Sequence, residues 1–261
     1  MRALSIAASG MQAQQTNVDV ISHNIANMNT TAFKRQRAHF EDMLYQTMER
    51  PGSTSAASGA VLPLGIQIGL GVNIDAIGRD MEQGTPSLTA NPYDIAINGE
   101  GYLQVQMPSG QTAYTRAGNL ALTADGELVT ADGFTIEPSI TVPDNAVSVQ
   151  IAPDGTVEAT LQDQTAPQQL GQLEIATFIN PAGLEALGDN LFLETPASGA
   201  ANVATPGSPG FGTLRQGALE LSNVNAVEEI SALIVAQRAY EMNARVITAA
   251  DQMLEATAQL R

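Results

Sequence analysis

The last forty residues of the chain, Ser222 to Arg261, contain neither Pro nor Gly. Ala, Leu, Glu, Gln, Arg and Met dominate them, all good helix formers. Asn225 followed by Glu228 resembles a capping box with Asn in place of Ser or Thr. Glu228 and Glu229 then fall where the helix dipole favours negative charge. A helix starting at Asn225 would be roughly 55 Å long at about 1.5 Å per residue, longer than a small domain is wide. Such an element constrains the fold more than anything else in the chain, because something must cover its apolar surface.

That surface is unusually broad. At about 100° per residue, Leu233, Tyr240, Ile247 and Leu254 form one ridge. Val235, Met242, Val246 and Met253 form a second, well around the cylinder. Between them runs a spine of smaller residues, Ala236, Asn243, Ala250 and Thr257. Arg238, Glu241, Arg245, Thr248, Gln252, Glu255 and Gln259 make a polar stripe. This pattern suits a helix wedged between neighbours with one face left wet. The plainer alternative is a long core helix of a single domain, but the only other helical partner lies at the far N-terminus.

There, residues 3–28 read as a second helix. Leu4, Met11, Val18 and Ile25 fall seven apart, and Ala7, Gln14, Ile21 and Met28 fill the other seam position. Gly10 weakens the helix slightly. The two terminal segments can pair if the middle of the chain returns to its start.

The middle reads as β structure. Residues 33–50 look extended first and helical later, with Phe33, Phe40, Met43 and Leu44 as apolar points. Residues 51–65, PGSTSAASGAVLPLG, have the composition of a loop or linker. From Ile66 to Ala76 apolar residues alternate, which predicts a strand or long ribbon. Residues 91–221 alternate short apolar runs with turn signals, and Asp125-Gly126, Asp132-Gly133 and Asp154-Gly155 are hairpin turns. Pro196 to Gly212 reads as a second loop. The expected fold class is therefore α+β. Long N- and C-terminal helices (1–32 and 222–261) pair as a coiled-coil-like domain, 33–90 is an extended connector, and 91–221 is a mainly antiparallel β domain.

Composition narrows the function. There is no Cys, so disulfides, thiol catalysis and Cys-ligated metal are excluded. The only histidines, His23 and His39, lie in or beside the N-terminal packing segments, weak footing for a His-based triad. A hydrolase would have to work with carboxylates alone, and nothing in the sequence places two together. No EF-hand spacing, dinucleotide fingerprint or other cofactor or metal motif is present. Residues 51–214 hold two basic and seventeen acidic groups, net −15, whereas residues 1–50 are net +1 and 215–261 net −2. The ends can pack against copies of themselves, and the middle belongs in solvent. Lys34, Arg35 and Arg37 form the only basic cluster, so nucleic acid is not an expected partner. No run of 18 apolar residues occurs, and the N-terminus lacks the apolar centre of a secretory signal. The protein is then either cytoplasmic or exported without a cleaved signal peptide.

Two long stretches carry a family resemblance. SIAASGMQAQQTNVDVISHNIANMNTTAFKRQRAHFEDMLYQ resembles the N-terminal signature of bacterial flagellar rod and hook proteins, a helix followed by N-I-A-N-x-N-T-x-G-F-K. SNVNAVEEISALIVAQRAYEMNARVITAADQMLEATAQL is similar to the C-terminal signature of that family. The run QRAYEMN, NMNTTAFKRQR and a length near 260 are most like the distal-rod branch. Two positions depart: Ala32 stands where the family has Gly, which suggests that positive φ is not needed there, and His23 replaces a common Asn.

The resemblance implies a structural, non-enzymatic subunit that polymerises into a helical tube in the basal body. It implies contacts with proximal rod proteins, with hook protein and with the peptidoglycan-level and outer-membrane-level bushing rings. The subunit would span the periplasm without being membrane-embedded. Expected interface positions are Leu4, Met11, Val18, Ile25, Leu233, Tyr240, Met242, Ile247 and Leu254. Arg238, Glu241, Arg245, Gln252 and Gln259 would face the export channel. The 51–65 stretch would pack between subunits and stiffen the tube, as against a free linker. A proximal rod or hook subunit is the alternative within the family, and a carboxylate-based wall hydrolase the remote one.

Overall fold

The computed structural model describes residues 2–50, 64–162 and 166–259. The chain divides into two compact units, one of residues 1–26, 36–78 and 225–261, the other of 27–35 and 79–224. The fold is α+β, with long helices near the two ends of the chain and antiparallel strands between them.

The first unit starts with α1 (Arg2–Ala26) and continues into β1 (Gln36–Asp42) and β2 (Tyr45–Glu49). It returns through β3 (Ile66–Gly69) and β4 (Val72–Arg79). β2 pairs antiparallel with β3 from Tyr45↔Gly69 to Glu49↔Ile66, and β1 pairs with β4, so the four strands form one long ribbon. The period-two reading of 66–76 is therefore correct, but residues 36–49 are extended throughout rather than becoming helical, and His39 lies on a strand. Every residue of β2 is exposed, so its sequence carries no alternation to read. Residues 51–63, most of the expected loop, lie outside the described residues. The unit ends in α2 (Ala226–Gln259), 34 residues long. Asn225 caps it by accepting a hydrogen bond from the Val227 N–H at 3.1 Å.

In the second unit β5 (Pro86–Leu88) and β6 (Ile95–Asn98) precede β7 (Tyr102–Gln106), the centre of a nine-stranded sheet. β8 (Thr112–Thr115) flanks β7 on one side. The chain then forms β9 (Leu120–Leu122), β10 (Leu128–Thr130) and β11 (Thr135–Glu137), and β11 pairs with the C-terminal half of β7. β12 (Ala146–Ile151), β13 (Thr156–Leu161) and β14 (Gln168–Gln172) make a separate three-stranded sheet. β15 (Ile175–Thr177) pairs with the N-terminal half of β7. β16 (Glu185–Gly188) and β17 (Leu191–Leu193) extend the large sheet beyond β8. β18 (Asn202–Ala204) pairs with β15 inside the segment read as a loop. β19 (Thr213–Gln216) pairs with β6, and β20 (Ala218–Glu220) with β5.

The three Asp-Gly pairs are hairpin turns, with φ of 77°, 86° and 84° at Gly126, Gly133 and Gly155. One core packs Ile95, Ile97, Leu103, Leu128, Ile136, Val157, Leu173 and Ile175. A second gathers Tyr102, Tyr114, Phe178 and Phe192, with Tyr114 and Phe178 edge-to-face at 4.8 Å. Few aromatics exist in this chain, and four of them are spent on one cluster.

Candidate assembly surface

Within the first unit α1 and α2 pack against each other along small and polar residues. Ala7, Ala13, Val20, Ile21 and Asn24 are buried on α1; Glu229, Ala236 and Ala250 are buried on α2. The small spine expected from sequence, Ala236 and Ala250 with half-buried Asn243, is thus the seam. A methyl group at Gly10 would stand 2.9 Å from Asn243 Nδ2. At the other end Asn24 Nδ2 donates to Glu229 Oε2 at 3.1 Å. The two contacts fix an antiparallel register, and they show why Gly10 is tolerated in a helix: it allows close approach.

Asn24 also closes the corner between helix and ribbon. Its amide donates to Gln36 O and accepts from Gln36 N, both at 2.8 Å. Ser9 Oγ accepts from Val72 N at 3.3 Å, and a Cβ at Gly71, where φ is +132°, would collide with that hydroxyl.

The large residues flank the seam. Leu4, Met11, Val18, Ile25, Leu233 and Ile247 are half-buried; Tyr240, Met242 and Leu254 are exposed. Val235 is 67 % exposed, Met242 61 % and Val246 47 %. Val227, Ile230 and Ile234 are also exposed near the start of α2. Arg238, Glu241, Arg245, Gln252 and Gln259 are all exposed. On one side of the seam Gln15, Val18, Gln237, Tyr240 and Glu241 line a groove of about 410 Å³. A solitary globule rarely presents so many apolar side chains together along one element, and such patches mark protein–protein contact.

The second unit holds a polar cluster that the sequence did not announce. Glu220, on β20, receives Lys34 Nζ and Arg116 Nε on its two oxygens, each at 2.6 Å. Gly84 N adds a third donor at 2.8 Å. Lys34 further donates to Glu82 O, and Arg116 to the carbonyls of Gly99 and Gly101. Burial works against the charge on Glu220, but Arg116 and Lys34 prevail and hold its carboxyl below the usual carboxylate range. Burial likewise pushes the Lys34 ammonium down, with Glu220 opposing. Asn223 fastens the same region, accepting from Arg35 N at 2.7 Å and donating to the carbonyls of Asp80 and Glu82. Ala32 donates its N–H to Glu220 O at 2.8 Å, and its φ is +56°. The expectation of an ordinary backbone at Ala32 is therefore wrong: the left-handed turn is kept, and a buried Ala occupies it at the strain a β-carbon brings there.

Three family models match the chain. The model described as "Flagella basal body rod protein" covers residues 4–34. "Flagellar hook protein FlgE/F/G D1 domain" covers 96–159, and "Flagellar basal body rod FlgEFG protein C-terminal" covers 215–260. The chain is 59 % identical over 261 residues to the flagellar basal-body rod protein FlgG of Caulobacter vibrioides, covering all of both chains. It is 51 % identical to the protein of that name from Agrobacterium fabrum over 97 % of each chain. Against that of Bacillus subtilis it is 39 % identical over 100 % of this chain and 99 % of the relative. The chain belongs to the flagellar basal-body rod family. Asn24, Ala32 and Lys34, which close the helix–ribbon corner and feed the Glu220 cluster, all lie within the N-terminal family match.

Proposed function

We propose that this chain is the structural subunit of the distal rod, which polymerises through its terminal helices into a rigid hollow drive shaft. The observation that carries this reading is full-length identity to basal-body rod proteins in bacteria as different as Caulobacter and Bacillus. The exposed ridges of α2 support it, since they are the surface that a neighbouring copy would cover.

In this reading Leu4, Met11, Val18, Ile25, Leu233, Tyr240, Met242, Ile247 and Leu254 contribute to contacts between copies. Arg238, Glu241, Arg245, Gln252 and Gln259 line the export channel, with mixed charge that presents little net field to passing chains. The exposed apolar residues of the ribbon, Leu44, Tyr45, Met48 and Ile66, supply a further contact. The paired helices form the inner tube (1–32 and 222–261), 33–90 the connector and 91–221 the outer part. The rod joins proximal rod proteins to the hook protein and turns within bushing rings at the levels of the peptidoglycan and outer membrane. The subunit crosses the periplasm after export without a cleaved signal peptide, and it has no catalytic role.

Deletion of the gene, followed by electron microscopy of purified basal bodies, tests this. Truncated rods without hooks are expected, restored by the full chain. Full-length rods with hooks in the deletion strain would remove the assignment.

A further inference from the structure

The two sides of the α1–α2 pair differ, and the difference specifies how copies meet. On one side lies the groove lined by Gln15, Val18, Gln237, Tyr240 and Glu241. At about 100° per residue, Val235, Met242 and Val246 project to the other side of the seam. One side is therefore concave and the other a projecting apolar ridge, both on the same helix pair.

Charge follows the same division. Beyond the first turn of α2, Arg238 and Arg245 edge the ridge side of the polar stripe. Glu241, Asp251 and Glu255 edge the groove side, and all five side chains are exposed. A ridge bordered by cations and a groove bordered by carboxylates are complementary to each other and not to themselves. Two ridges would bring Arg against Arg, and two grooves Glu against Glu.

We propose that the ridge of one copy seats in the groove of the next, Val235, Met242 and Val246 entering beside Val18 and Tyr240, with Arg238 and Arg245 facing the carboxylate edge of Glu241 and Asp251. Because the joined faces differ, the contact is heterologous. It leaves a free ridge and a free groove at the two ends of every assembly, so it propagates instead of closing into a two-fold dimer. The edges of each polar stripe neutralise each other across copies, and the remainder of the stripe stays wet. The inference rests on the self-polymerising reading above and gives it a direction.

The native chain has no Cys, so single-Cys variants report unambiguously. Gln15→Cys and Met242→Cys are expressed separately and together in cells lacking the native chain, and purified rods are oxidised gently. The mixture is expected to yield a linked dimer, because a disulfide forms only where Cα atoms approach within about 7 Å. Each variant alone is expected to yield none. Linkage in either variant alone, or no linkage from the mixture in intact rods, overturns the pairing while leaving the rod assignment standing. Absence of the chain from the rods overturns the assignment itself. As a second measurement, Arg238→Glu with Arg245→Glu is expected to abolish rod growth with helix content unchanged, and adding Glu241→Lys with Asp251→Lys to restore it. Unaltered growth in the first double variant also overturns the pairing.

Discussion

Glu220 holds two cations on one carboxylate inside the second unit, so the cluster carries an excess positive charge. Removing the anion strands two buried cations; removing one cation leaves a neutral pair. Glu220→Gln is therefore expected to destabilise the protein by about 3–5 kcal/mol. Lys34→Met should cost only about 1–2 kcal/mol, mainly through the Glu220 carboxylate that loses one of its donors, since the Glu82 carbonyl keeps its bond from Asn223. Urea unfolding of the two variants checks the ordering, and equal losses would refute it. The pH dependence has a definite sign. Glu220 is held below the usual carboxylate range in the folded state, so its contribution is fully present above the unfolded value of about 4.3. It fades as pH falls from there through the lowered folded value. The Glu220→Gln protein should lack that part of the acid slope. Sequence could present Asn24 and Lys34 as parts of a signature but not give their roles. Their partners, Glu229 and Glu220, stand 205 and 186 residues away. The Ala at position 32 misled for the opposite reason: residue type suggested ordinary φ, while the backbone there, its N–H bonded to Glu220 O, takes the left-handed turn.

At the scale of elements, periodicity was most legible where one face is buried against a partner. The start and cap of α2, its small spine and the strand run after Ile66 could all be read from residue spacing. β2 could not, because every one of its residues is exposed and its place is set by pairing with β3. β18 is three residues long and sits among Pro, Gly and Ser, so composition hid it. The α1–α2 seam was half legible. A heptad count brings large residues to mind, yet at Gly10 a methyl group would already press on the Asn243 side chain. This distinguishes two substitutions. Gly10→Ala meets only the end of an Asn side chain and gains about 1 kcal/mol of helix propensity, so its net effect should be near zero. Gly10→Val must push the helices apart and should cost about 1–3 kcal/mol. Thermal melts followed by helix circular dichroism compare them; equal melting of the two variants would show that the helices do not approach closely there.

For the whole molecule the decisive quantity is where the charge lies. The second unit holds five basic and seventeen acidic residues, net −12; the first holds six and ten, net −4. Like charge at that density opposes packing of second units against each other and favours a place in solvent. If this unit forms the outer part of the rod, its carboxylates face the bushing rings, and repulsion limits sticking between a turning shaft and its bearing. Glu100, Asp144 and Glu185 are exposed and take no part in the Glu220 cluster, so they can be changed without disturbing the fold. Glu100→Lys, Asp144→Lys and Glu185→Lys in one chain shift each copy by six charges, a change repeated along the polymer. The variant is expected to assemble rods and hooks in normal number but to swim more slowly. Added salt should recover part of the speed, because exposed charges are screened over about 10 Å at 0.1 M ionic strength. Rod counts by electron microscopy and swimming speed by tracking separate the two effects. Normal speed at low salt would mean that the acidic surface has no bearing role, and loss of rods would mean that these carboxylates serve assembly instead.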